Sequence, residues 1–318
     1  MIRRMPHTIF IDGAAGTTGL EILDRLGGRS EFQILTLDEA RRKDVSARRE
    51  ALNEADLAIL CLPDEAAKEA VALIDSAGAT RVIDASSAHR VAEGWTYGFP
   101  ELVGRERVAE ARFVSNPGCY PTGFLALVAP LVLSRLLPTD WPYTVNAVSG
   151  YSGGGKALIE RFEQTEPDIA FRSYALGLEH KHRAEMKHYA GLKHGVIFAP
   201  AVVPAYRGMV VEVPLHLGAM AGGPTPDRLR AALREFYAGS PVIAVGGREG
   251  APEEIVLRCE DDASDAMSLF VFGNEGSYHA RLVAVLDNLG KGASGAAIQS
   301  LNLMCGLPEA TGLRLPTN

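Results

Sequence analysis

Residues 8–12 (TIFID) run directly into a glycine turn at 13–19 (GAAGTTG), followed by Leu20, Ile22, Leu23 and Leu26 at helical spacing. A β-rich run broken by glycine and followed at once by an amphipathic pattern reads as strand, tight turn and helix. The alternation continues. Residues 32–37 (FQILTL), 57–62 (LAILCL), 82–84 (VID) and 113–115 (FVS) read as strands, and alanine-rich helical stretches lie between them, notably 64–77. Strands alternating with helices predict a parallel sheet covered on both faces. The run 57–62 is apolar throughout, as a central strand buried on both sides should be.

The texture changes near Gly118. Residues 122–137 read as a long helix with Pro121 suited to its first turn. Longer β-like runs follow at 144–149, 195–200, 209–217, 255–258 and 268–272, with few helices between them. Residues 210–216 alternate faces, which predicts a larger, partly antiparallel sheet. A last strand at 281–286 leads to 288–294 (NLGKGAS) and a helix from about Gly295 to Met304. The expected fold class is α/β: a Rossmann-type parallel-sheet nucleotide domain plus an α+β domain with a mixed sheet.

Composition narrows the function classes. A chain of 318 residues folded compactly buries roughly 74% of its surface, a core that needs neither disulfides nor metals. The net charge of −7 argues against general nucleic-acid affinity, which requires a positive surface. It leaves room for a small basic pocket. No apolar run approaches the length of a membrane span, and residues 1–7 lack the apolar stretch of a signal peptide. The four cysteines, Cys61, Cys119, Cys259 and Cys305, are scattered without a CxxC pair, as expected of a reduced cytoplasmic protein.

The turn formed by Gly13, Ala14, Ala15, Gly16, Thr17, Thr18 and Gly19 opens the first helix. Glycines let backbone approach a pyrophosphate, and the helix N-terminus supplies free N–H groups. The spacing is GxxGxxG rather than GxGxxG, and a tight turn that binds nothing is the alternative. The second strand ends in Asp38 and Glu39, where an acidic side chain would take a ribose hydroxyl. Arg41, Arg42 and Lys43 just beyond would neutralise a 2′-phosphate, which favours NADP, or would form a solvated helix face.

Cys119 lies in 115–122 (SNPGCYPT), between a strand and a helix that starts immediately afterwards. A thiol at a helix N-terminus has its thiolate stabilised, as a nucleophile requires. Cys61, in an apolar strand, reads as packing, and so do Cys259 and Cys305. Among the eight histidines, the densest group is His180, His182 and nearby His188. On a strand or turn His180 and His182 would share a face, and Glu185 could orient an imidazole. A metal site of His180, His182 and His188 is the rival reading, without further ligand spacing to support it, and no metal is expected.

Three more segments are rich in small and polar residues. Residues 147–156 (AVSGYSGGGK) close a β-run with a donor-rich loop containing Ser149 and Lys156. Residues 84–90 (DASSAHR) place Arg90 at the sheet's carboxyl edge, where α/β proteins bind ligands. Residues 288–294 contain Gly-Lys but no P-loop frame.

Residues 12–19, 97–101 (YGFPE), 115–122, 147–156, 180–185 and 287–294, in one order along the chain, resemble the N-acetyl-gamma-glutamyl-phosphate reductase family, more closely its shorter bacterial type. The wider superfamily includes aspartate-semialdehyde dehydrogenase. The resemblance implies reversible, NADPH-dependent reduction of an N-acetyl-glutamyl 5-phosphate to the 5-semialdehyde in arginine biosynthesis. Cys119 would form a thioester, His182 or His180 would act as acid and base, and Glu185 would assist. Candidates for phosphate and substrate carboxylate are Arg90, Asn116, Ser149, Lys156 and Arg207. Ser86, Asn288 and Lys291 would lie by the cofactor with the 13–19 turn. The resemblance also implies that residues 1–118 and 288–318 form the NADP-binding domain. Residues 119–287 would then be a catalytic and oligomerisation domain of a homodimer or homotetramer.

Three other functions remain open at this point. They are an aspartate-semialdehyde dehydrogenase-like reductase of another acyl phosphate, a cysteine hydrolase using Cys119 and His182, and a non-catalytic dinucleotide-binding protein. The hydrolase leaves the 13–19 turn unexplained.

Overall fold

A computed structural model describes residues 6–246, 252–274, 276 and 278–316. The chain divides into two compact units, 1–117 with 296–312 and 118–295 with 313–318. In the first unit, β1 (His7–Asp12), β2 (Phe32–Leu35), β3 (Leu57–Leu60), β4 (Arg81–Asp84), β5 (Thr96–Tyr97) and β6 (Phe113–Ser115) form one sheet. Its order is β2-β1-β3-β4-β6-β5, and every pairing is parallel. The helices are α1 (Thr17–Leu26), α2 (Val45–Glu54), α3 (Asp64–Ala72), α4 (Pro100–Val103) and α5 (Arg105–Glu110).

Alternation along the strands fills both faces. Ile9 and Ile11 of β1 pack with Ile22 and Leu26 of α1, while Phe10 packs with Leu52 of α2 and Ala70 of α3. The direction of strand succession reverses at β1, which lies between β2 and β3, and ligands of such sheets bind outside the strands' carboxyl ends. The turn after β1 and the loop after β4 are both at that edge.

The second unit contains α6 (Cys119–Leu133), β7 (Thr144–Gly150), α7 (Gly155–Glu160), β8 (Arg172–Ser173), α8 (His182–Tyr189), β9 (Ile197–Val203) and β10 (Met209–His216). It continues with α9 (Pro226–Phe236), β11 (Ile243–Val245), β12 (Met267–Asn274) and β13 (His279–Leu286). The seven-stranded order is β11-β12-β13-β10-β7-β9-β8, mixed parallel and antiparallel. Met209, Val211, Val213 and Leu215 of β10 are buried on the helix-covered face. Residues 120–132 of α6 are buried without interruption, so this helix is the core of its unit. The tenth helix, α10 (Gly295–Met304), begins where a π-helical turn at Gly290–Ser294 ends.

Several sequence expectations are revised. The helix expected at 122–137 runs from Cys119 to Leu133. Pro121 is accommodated because the first intrahelical bond is donated by Thr122 to the Gly118 carbonyl at 2.9 Å. The helix stops where Arg135 turns left-handed at φ 58°. Residues 255–258 form no strand, and the Arg258 N–H is donated to Asp261 Oδ2 at 3.1 Å instead of to a ladder. Of the strand or turn expected for His180 and His182, the structure has a turn at Lys181, and His182 opens α8.

Candidate active site

In the first unit, the glycine turn is shaped by contact as much as by dihedral preference. Gly13 has φ +89°, and a Cβ there would lie 2.3 Å from the Cys61 carbonyl oxygen. Its own carbonyl accepts the Gly16 N–H at 3.0 Å, which closes the turn under the start of α1. Thr17 Oγ1 is buried there without a hydrogen-bond partner among the described residues. A side-chain-free cradle, an unused hydroxyl and a helix N-terminus together fit a dinucleotide pyrophosphate. After β2, Asp38 accepts the Arg41 N–H at 2.9 Å, and the exposed Arg42 pairs with Glu39 at 2.9 Å.

Asp84, the last residue of β4, is fully buried and organises the loop beyond it. Its carboxylate accepts the Ser86 N–H at 2.8 Å and hydroxyl at 2.7 Å, and holds His89 Nδ1 at 2.6 Å. His89 stacks on Trp95 with ring centroids 4.2 Å apart. The buried Arg90 donates from Nε to the Asn116 carbonyl at 3.0 Å, and the Asn116 N–H returns to the Asp84 carbonyl at 2.7 Å. Ser86, Arg90 and Asn116 therefore form one cluster at the carboxyl ends of β4 and β6. The DASSAHR segment had suggested Arg90. Asp84, which fixes that loop, was visible only once its contacts were.

In the second unit, Cys119 is the first residue of α6, with Gly118 as the extended residue before it. The Gly118 N–H is donated to Glu185 Oε2 at 3.1 Å, so the buried Glu185 ties the turn before Cys119 to α8. His180 and His182 have ring centroids 4.6 Å apart, and the His182 N–H is donated to His180 Nδ1 at 3.2 Å. Both rings pack near Tyr120, at centroid distances of 6.3 and 5.9 Å. Burial, with Tyr174 and Cys119 nearby, pushes the Tyr120 hydroxyl well above its ordinary pKa, and it donates to the Ala201 carbonyl at 3.0 Å. Elsewhere, burial beside Asp84 and Asp12 pushes the Cys61 thiol up to about 12, and burial pushes Cys305 to about 11.

The turn at 287–294 closes around Cys119. A Cβ on Gly292 would lie 2.9 Å from the Cys119 Cβ, so only glycine fits at that distance. Asp287 sets the turn, accepting the Leu289 N–H at 2.8 Å and pairing with Arg207 at 2.8 Å. Arg207, a substrate candidate from sequence, is thus also a buttress for this turn. Asn288 Nδ2 donates to Ser152 Oγ at 2.9 Å, while its Oδ1 is buried without a hydrogen-bond partner among the described residues. That unused acceptor fits a carboxamide donor such as nicotinamide's. Lys291 and Ser149 are buried, whereas Lys156 is exposed on the first turn of α7.

The semialdehyde dehydrogenase NAD binding domain family matches residues 8–111, and the semialdehyde dehydrogenase dimerisation domain family matches 119–288. N-acetyl-gamma-glutamyl-phosphate reductase 2 of Nostoc sp. is 46% identical, covering 96% of this chain and 98% of its own. The N-acetyl-gamma-glutamyl-phosphate reductase of Brucella abortus is 49% identical, covering 95% and 100%. The chain belongs to the N-acetyl-gamma-glutamyl-phosphate reductase family. It is an oxidoreductase with a nicotinamide-dinucleotide-binding unit. The wider fold is that of aspartate semialdehyde dehydrogenase II from Vibrio cholerae, with a TM-score of 0.67 at 19% identity, covering 94% of this chain and 98% of that one. The enzyme from Candida albicans, solved with NADP, matches at TM-score 0.64 and 15% identity, covering 94% and 99%. Among the described residues of this family member, no helix is long and apolar enough to cross a membrane.

Proposed function

We propose that the protein reduces N-acetyl-L-glutamyl 5-phosphate to N-acetyl-L-glutamate 5-semialdehyde, with release of phosphate, as its relatives' name describes. The observation that carries this reading is Cys119 at the start of α6, with His180, His182 and Glu185 gathered on and before α8. The Cys119 thiolate attacks the acyl-phosphate carbonyl, and phosphate leaves from the tetrahedral adduct to give a thioester. The bound dinucleotide supplies the hydride that reduces this thioester. His182 protonates the resulting oxyanion to give the hemithioacetal, then takes the hydroxyl proton back as collapse expels Cys119 as thiolate and frees the aldehyde. His180, whose Nδ1 accepts the His182 N–H, holds the histidine in place. Backbone N–H groups at the start of α6 stabilise the oxyanion. Arg90 and Asn116, with Ser149, Lys156 and Arg207, take the phosphate and carboxylate of the substrate.

Residues 13–19 and Ser86 hold one end of the dinucleotide, and Asn288 and Lys291 serve its nicotinamide. The preferred cofactor is NADP, with Arg41, Arg42 and Lys43 against the 2′-phosphate. Residues 1–118 and 288–318 serve the cofactor, and 119–287 serve catalysis and assembly. The protein works as a homo-oligomer in the cytoplasm, where a reactive thiol stays reduced.

The test is formation of NADPH from N-acetylglutamate semialdehyde, NADP and phosphate, with NAD and aspartate semialdehyde as parallel controls. Phosphate-dependent turnover of the acetylated substrate, lost in Cys119→Ser, is expected. Wild-type-like turnover in that variant would sink the thioester mechanism. Dinucleotide binding without any turnover would move the protein to the binding class.

A further inference from the structure

The seven-stranded sheet has a second face, away from α6, on which β10 shows Val210, Glu212, Pro214 and His216. His216 lies directly opposite His279 of β13 in the antiparallel ladder. Both side chains are exposed. Their Nε2 atoms are 3.1 Å apart, with ring centroids at 4.4 Å and planes at 85°. We infer that His216 and His279 form a two-histidine chelate for a borderline divalent transition ion such as Ni²⁺ or Zn²⁺.

The geometry carries this beyond a chance pairing of polar side chains. Cross-strand neighbours stand on one face with side chains projecting in parallel. Here both rings bring the same nitrogen, Nε2, together at 3.1 Å. Metal–imidazole bonds are about 2.0–2.1 Å, so two nitrogens 3.1 Å apart subtend roughly 100° at a shared ion. That value lies between the octahedral and tetrahedral angles. Without an ion, two imidazoles at this distance share one proton in an N–H···N bond. A cation held by both Nε2 atoms displaces that proton, which the donor ring then carries on Nδ1. Among the described residues no group of three or more His, Cys, Asp and Glu side chains is placed to hold an ion, so water completes the shell. The expected affinity is accordingly micromolar and open to exchange. The site is separate from the chemistry: His279 begins β13, and the eight residues to Asp287 span about 26 Å of extended chain.

The experiment titrates the metal-free, untagged full-length protein with NiCl₂ by calorimetry, alongside H216A and H279A. Micromolar binding in the wild type, weakened at least about tenfold in each variant, is expected. Equal affinity in all three, or no binding by the wild type, overturns the proposal. Carbethoxylation of histidines in the wild type, mapped by mass spectrometry with and without Ni²⁺, needs no variant to fold. Nickel must protect His216 and His279 and leave the exposed His194 unprotected. Unchanged modification of His216 and His279 overturns the assignment equally.

Discussion

Glu185 Oε2 accepts the N–H of Gly118, the residue just before Cys119, at 3.1 Å. The carboxylate is 1% exposed and sits one turn into the helix that His182 opens. One side chain therefore sets the spacing between the turn before Cys119 and the helix that His182 opens. In Glu185→Ala a buried N–H loses its acceptor, which costs about 1–3 kcal/mol of stability. The resulting drift of Cys119 lowers kcat by about 10²-fold. Glu185→Gln retains an acceptor oxygen and keeps most of both. Parallel thermal melts and turnover measurements separate the effects, and equal damage by Ala and Gln would assign Glu185 a role through its charge.

The described thiols fall into distinct reactivity classes. A cysteine is alkylated as the thiolate, so a raised pKa keeps it protonated and inert below that pH. At pH 8 a thiol titrating at about 12, as for Cys61, is ionised in roughly one molecule in 10⁴; at about 11, as for Cys305, in roughly one in 10³. Iodoacetamide at pH 8 should label Cys119 and the exposed Cys259 while sparing Cys61 and Cys305 until denaturant is added. Peptide mapping over time reads this directly. Labelling of Cys61 in the native protein at the rate of Cys259 contradicts its raised pKa.

The sequence made the parallel sheet legible because its strands are short apolar runs separated by helix-period stretches, and local pattern is enough to see them. Its two-residue strands, Thr96–Tyr97 and Arg172–Ser173, carry no such pattern and exist through their partners. Residues 255–258 (IVLR) show the converse, since β-propensity without a ladder partner leaves irregular chain. At the site, Cys119 was conspicuous because a Pro-Gly turn and a helix start meet there. Asp84, Asp287 and Glu185 work through contacts with backbone far along the chain or across a turn, and residue type alone does not announce such an acceptor. Ser152 became visible only as the partner of Asn288.

Asp84 offers a second positioning test. Its two oxygens take the Ser86 N–H, the Ser86 hydroxyl and His89 Nδ1, all within 2.8 Å. Asn at this position replaces one acceptor with a donor, so at least one of those bonds is lost in a buried site. A stability loss of about 1–3 kcal/mol follows. Because Arg90 ends the same loop, kcat/KM for the phosphate-dependent reaction should fall about 10–100-fold, more than in His89→Phe, which keeps a ring to stack on Trp95. Melting curves with kinetics at several phosphate concentrations check both. A kcat/KM in Asp84→Asn equal to wild type would remove the loop from substrate binding.

Two glycine substitutions test cofactor binding and chemistry at the thiol separately. In Gly13→Ala the new Cβ meets the Cys61 carbonyl oxygen at 2.3 Å and the backbone must leave φ +89°, so the turn before α1 is rebuilt. The expected result is dinucleotide affinity reduced about tenfold or more, read by fluorescence titration with NADPH. In Gly292→Ala the intruding Cβ is 2.9 Å from the Cys119 Cβ and 3.0 Å from the Asp287 carbonyl, both on backbone-fixed atoms that yield little. Cys119 is displaced while the 13–19 turn is untouched. Turnover should therefore fall about 10²-fold with iodoacetamide labelling of Cys119 altered, and NADPH affinity should change far less than in Gly13→Ala. If Gly292→Ala weakened NADPH binding as strongly as Gly13→Ala and left Cys119 labelling unchanged, the 287–294 turn would belong to the cofactor alone.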